Sequence, residues 1–221
     1  LLSFSQLLAS SMLLIALPLV FYRRGATRPA VALGERVATG VYFGAIGFGF
    51  MFVEIALLHQ LVFFFGQPVF AAAGAITVLL LFSGLGSYST AYKRFSQIGP
   101  VGSTLWVALL IGLIGFLLLE LRPVLITWDL APRVAVLSLL LGAPGLMMGR
   151  PFPLAMQRLS VSRLSFVPWA LAINGCASVL AVPAATLIVL QAGFTKIMIL
   201  CVLSYLCAAA ASTQFKKWEP H

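Results

Sequence analysis

Two residues inside one apolar run carry the only chemistry that the middle of this chain offers. In "FGFMFVEIALLHQLVFFFG" (48–66), Glu54 stands among aliphatic and aromatic neighbours, and His59 follows five positions later. A carboxylate in hydrocarbon costs roughly 2.5 kcal/mol or more at mid-depth, so such a group marks a proton or cation contact, a subunit contact or a packing device. At 3.6 residues per turn the two side chains point about 140° apart, so an unbroken helix does not present them as one acid–base pair. His59 could meet lipid headgroups or a partner, or ligate a chlorin or haem alone. Asn174, with Ser178 one helical turn on and Gly175 beside it, is the other polar candidate within an apolar stretch.

What is missing narrows the chemistry further. The sequence has no HExxH, no cysteine cluster and no carboxylate–histidine spacing for a di-metal centre. Its histidines, His59 and His221, cannot make a bis-histidine haem across two helices. Cys176, Cys201 and Cys207 lie in apolar runs with no CxxC and read as small buried hydrophobes. No catalytic residue and no metal site is assigned, no cofactor is expected beyond the haem or chlorin option at His59, and autonomous catalysis is not expected.

The elements that position these residues follow from composition. The chain is 62% hydrophobic and 9% charged, against about 45–50% and about 25% in soluble domains. The expectation is an all-α, polytopic membrane helix bundle forming a single transmembrane domain over 1–221. About 20 apolar residues span a bilayer, and about seven such segments can be traced, near 4–22, 37–65, 69–90, 101–119, 134–149, 168–190 and 194–213. Arg23 and Arg24 follow the first segment and no basic residue precedes it, the reverse of a secretory signal, so it reads as a spanning helix. Pro144 and Pro183 interrupt two of the others. The segment 151–165 has apolar Phe152, Met156 and Leu159 at helical spacing opposite Gln157, Arg158 and Arg163. It suits an interfacial amphipathic helix or a connecting loop. Loop 120–133 carries Trp128 at the expected interface, and the tail "KKWEPH" reads as a juxtamembrane anchor.

The formal charge of +9 is a topology signal. With the N-terminus outside and the C-terminus inside, Arg23, Arg24, Arg28, Arg36, Lys93, Arg94, Arg150, Arg158, Arg163, Lys216 and Lys217 fall on the inner face. Only Arg122, Arg133 and Lys196 then fall outside. The basic edge suits anionic lipids of the cytoplasmic face. Its scatter over short loops argues against nucleic acid. Small residues supply close helix packing: Gly40 with Gly44, Gly145 with Gly149, Ser83 with Ser87 flanked by Gly84 and Gly86, and Gly175. "GAIGFGF" (44–50) lacks the strand, lysine and hydroxyl of a phosphate cradle and reads as helix packing too.

Three separated stretches carry a family resemblance. "VEIALLHQLVFFFGQPVFAAAGAITVLLLFSGLGS" (53–87), "GAPGLMMGRPFPLAMQRL" (142–159) and "PWALAINGCASVLA" (168–181), the last followed by "GFTKIMIL", occur in that order. Together they resemble the membrane part of bacterial spermidine synthase-like proteins, also described as fused major-facilitator-like/spermidine synthase proteins. The resemblance covers about 37–210. It points to Glu54, Ser83, Gly84, Gly86, Pro151, Phe152, Pro153, Asn174 and Gly175. The family often has Gln-Arg where His59-Gln60 stand. Its S-adenosyl-binding domain and catalytic carboxylates have no counterpart within these residues, so synthase activity does not carry over. What the resemblance implies is a non-catalytic module of a bacterial inner-membrane protein, an anchor or scaffold for a cytoplasmic domain or an accessory subunit of a larger membrane assembly. A small amine or cation transporter using Glu54, and a pigment- or haem-associated subunit of an energy-converting complex, are the alternatives.

Overall fold

The structure is a computed structural model that describes residue 6 and residues 33–92, 98–162 and 166–218. The segment expected at 4–22, together with Arg23, Arg24, Arg28, Lys93, Arg94, Arg163 and His221, lies outside the described residues. Among those described there is no strand. The helices are α1 (Leu33–Phe65), α2 (Pro68–Ser89), α3 (Pro100–Glu120), the single turn α4 (Arg122–Leu125), α5 (Leu130–Met148), α6 (Pro151–Ser162) and α7 (Val167–Ser212), followed by a 3-10 turn (Thr213–Trp218).

Proline and glycine set the boundaries. Gly66 adopts φ 71°, a conformation open to glycine but strained for other residues. Gln67 is extended, and Pro68 opens α2 in the first turn, where its missing N–H costs nothing. Pro100 and Pro168 open α3 and α7 in the same way. Inside the helices, hydroxyls return to their own backbone. Thr104 donates to Pro100 O at 2.9 Å, Thr186 to Val182 O at 2.9 Å and Ser204 to Leu200 O at 2.9 Å. These three hydroxyls are thereby satisfied without water.

Among the described residues, five helical runs are long and apolar enough to cross a membrane, consistent with an integral membrane protein: 34–65, 68–89, 100–120, 130–161 and 167–215. The difference from the expected seven has two sources. One segment falls outside the described residues, and the expected pair 168–190 and 194–213 form a single α7 with no loop between them. Only Gly193, at φ 82° and ψ 174°, leaves helical geometry there. The chain nevertheless doubles back at that residue. A Cβ built on either Gly40 or Gly44 would sit 3.7 Å from Ile173, while Tyr42, between them, packs its ring 5.0 Å from that of Phe215. On one straight helix Ile173 and Phe215 would lie about 63 Å apart. Gly193 therefore joins two antiparallel limbs, 167–192 and 194–212, and α1 packs against α7 more extensively than against any other element. α5 packs on α2, and α3 packs on α7 and α5.

Large apolar side chains face outward, including Leu139 at 76% and Phe70 at 62% exposed. That distribution suits a lipid or protein surround better than water. α6 has a buried face of Leu154, Ala155 and Leu159 and an exposed one of Gln157, Ser160 and Val161.

The two ends of the bundle differ. At one end the Tyr42 hydroxyl donates to Pro151 O at 2.9 Å, which ties the start of α1 to the α5–α6 junction. Arg36, Arg150 and Arg158 lie on the segments meeting there. At the other end, Arg133 donates to Phe64 O at 2.6 Å, to Ile126 O at 2.9 Å and to Trp128 O. It thus closes the last turn of α1 onto the loop before α5, where orphan carbonyls need donors. Arg122 lies 4.0 Å over the Phe63 ring at the same end, and Lys196 follows the Gly193 reversal.

Candidate functional site: a cavity between the central helix and the hairpin

A cavity of about 240 Å³ opens where α1, the α5–α6 junction and both limbs of α7 meet. Gly47, Phe50 and Met51 line it from α1, Met148 and Phe152 from the junction, Asn174 and Ser178 from the first limb and Tyr205 from the second. Two glycines of "GFGF" bring these elements together. A Cβ on Gly47 would lie 2.6 Å from Asn174 O and 3.1 Å from Ala177 Cβ, and one on Gly49 would lie 2.8 Å from Tyr205 Cε2. Neither neighbour is a flexible chain end, so both positions require glycine for this packing.

The polar groups of the cavity are unevenly satisfied. Ser178 Oγ donates to Asn174 O at 2.9 Å and reaches Gly47 O at 3.4 Å. The Asn174 side-chain amide and the Tyr205 hydroxyl take part in no hydrogen bond among the described residues. Tyr42, as deeply buried as Tyr205, has its partner in Pro151 O. A buried tyrosine hydroxyl ordinarily finds one.

Of the residues singled out from the sequence, the cavity brings together Pro151, Phe152, Asn174 and Ser178. Glu54 is not part of its lining. It lies seven residues along α1 from Gly47, on nearly the same helical stripe. It is half-buried, and its carboxylate enters no hydrogen bond or ion pair among the described residues. His59 is half-buried on another face of α1. Among the described residues no three His, Cys, Asp or Glu side chains group closely enough to hold a metal.

The small residues divide by their surroundings. A Cβ on Gly86 would run into Leu146 O, and one on Gly149 into Ser83 O. These two glycines set the α2–α5 crossing. Gly145 meets Phe82 Cβ at 3.1 Å. Ser83 back-bonds to Leu80 O at 3.3 Å, and Ser87 is exposed. Gly40 and Gly44 have ordinary contact distances to Ile173, while Gly84 and Gly175 have nothing within 4 Å. The tightest approaches of α1 to the α7 hairpin thus fall at Gly47 and Gly49. Both lie in a stretch legible as packing, although spacing alone does not single them out from Gly44.

Three residues that stand out here carry little signal in the sequence. Tyr205 is one aromatic in an apolar run. Gln60 is 2% exposed with its Nε2 unpartnered. Arg133 ends the stretch 120–133 expected as a loop, and the structure places it in the first turn of α5. No family model, no curated protein and no solved structure matches this chain.

Proposed function

We propose that this chain is a non-catalytic integral membrane module of a bacterial inner membrane, akin to the membrane part of spermidine synthase-like proteins. In this proposal it anchors a cytoplasmic domain or serves as an accessory subunit of a larger membrane assembly, with its N-terminus outside, its C-terminus inside and its basic edge on anionic lipid. The observation that supports the reading most is Glu54. It lies about three turns from the C-terminal end of a helix long and apolar enough to span a bilayer, half-exposed and without a partner among the described residues. In hydrocarbon such a group calls for a donor, and a neighbouring subunit supplies one.

The test is purification of the tagged full chain in mild detergent, beside Glu54→Gln and Glu54→Leu. The expected result is a stoichiometric companion retained by the native chain and by Glu54→Gln, which keeps a hydrogen-bonding group, and lost from Glu54→Leu. A solitary monomer, or a companion indifferent to Glu54→Leu, overturns the reading.

A second reading, transport of a small amine or cation past Glu54, is favoured by the helical stripe that Glu54 shares with Gly47 and Met51 of the cavity. It requires flux in reconstituted vesicles that Glu54→Gln abolishes; flux unchanged by that substitution removes it.

A further inference from the structure

The cavity has a more specific chemical signature, independent of whether the chain anchors a partner. Its walls are mostly flat or deformable: Phe50, Phe152 and the Tyr205 ring, with the thioether chains of Met51 and Met148. Such walls adapt to a ring. An engineered apolar cavity of about 150 Å³ accepts benzene, so about 240 Å³ holds a substituted ring. Among the described residues no Asp, Glu, Lys, Arg or His lines it, which disfavours a charged guest because none of those lining groups would offset its desolvation. The unspent polar groups are the Tyr205 hydroxyl and the Asn174 amide. Both can donate, while the Ser178 hydrogen is already committed to Asn174 O. Free donors in an apolar wall select acceptor oxygens.

We infer that this cavity binds an uncharged, ring-bearing lipophile with carbonyl oxygens, of the quinone type. Its ring lies among the aromatic and methionine side chains, and its oxygens accept from Tyr205 and Asn174. The guest reaches the cavity from the apolar phase, as a molecule of this polarity dissolves there.

The test uses the full chain in lipid nanodiscs and a radiolabelled benzoquinone with a decyl tail, read as binding above that of empty nanodiscs. One saturable site per chain is expected. Tyr205→Phe, which keeps the ring, and Asn174→Leu should each weaken binding by roughly tenfold, the worth of one well-made hydrogen bond. Ser178→Leu should abolish binding by filling the space. Decylcyclohexane, which has the tail and a ring but no oxygens, should fail to compete. Thermal unfolding of each variant separates lost binding from lost folding. Uptake no greater than that of empty nanodiscs means that the cavity holds only water and overturns the inference. So does equal competition by decylcyclohexane, or affinity unchanged in a folded Tyr205→Phe and a folded Asn174→Leu.

Discussion

Gly86 and Gly84 sit two residues apart on α2 and should respond oppositely to the same substitution. Replacing glycine by alanine within a helix gains up to about 1 kcal/mol from propensity alone. At Gly84 the new methyl meets nothing within 4 Å, so Gly84→Ala should be neutral or stabilising by up to that amount. At Gly86 it runs into the carbonyl of Leu146, a backbone group with no rotamer to escape into. The two helices must then part, which loosens the Phe82 contacts at Gly142 and Gly145 as well. Overpacking of this kind costs about 1–3 kcal/mol. The upper end applies because backbone rather than side chain must yield, leaving Gly86→Ala less stable by about 2 kcal/mol after the propensity gain. Thermal unfolding in detergent, followed with a thiol-reactive dye after Cys176→Ser and Cys207→Ser remove the more accessible thiols, reads this through Cys201, which is fully buried in the folded chain. Equal melting of Gly86→Ala and Gly84→Ala would refute the α2–α5 crossing described here.

Two further substitutions probe the ends of the bundle and its buried hydroxyls. Arg133→Ala should destabilise by about 1–3 kcal/mol through loss of a charged donor to the carbonyls of Phe64, Ile126 and Trp128. Arg133→Lys should not restore it, since an ammonium cannot reproduce the planar fork; unfolding of both variants checks this. Tyr42→Phe should cost about 1 kcal/mol by breaking the bond to Pro151 O, whereas Tyr205→Phe, whose hydroxyl has no partner among the described residues, should cost little in the same assay without added ligand.

The helices were legible because their apolar runs are long and their ends are marked by residues with one physical use: Gly66 and Pro68 between α1 and α2, Pro100 before α3, Pro168 before the first limb of α7. Boundaries shifted where no such mark stands. α1 already includes Leu33, the first residue described there, rather than starting near 37, and α5 begins at Leu130 rather than near 134, because Asp129 and Pro132 suit a first helical turn. Which faces meet was far less legible. A helix that is apolar all round offers no stripe to point it inward, so nothing local pairs Gly49 with Tyr205 or Gly86 with Leu146. The cavity is a product of those pairings. Asn174 and Ser178 could be picked out as polar residues in an apolar run, whereas Tyr205 enters only through the reversal at Gly193.

The central claim is that the bundle crosses a membrane with the Arg36–Arg150–Arg158 end on one side and the Arg122–Arg133–Lys196 end on the other. Its most direct measurement is single-cysteine labelling with a membrane-impermeant maleimide in sealed vesicles. Gln157→Cys, Thr213→Cys, Thr127→Cys and Lys196→Cys would each be made after replacement of the three native cysteines; all four positions are exposed. Residues 157 and 213 should react from the cytoplasmic side, and residues 127 and 196 only from the opposite side. Labelling of residues 196 and 213 from the same side would contradict the hairpin at Gly193 and the membrane-crossing arrangement with it.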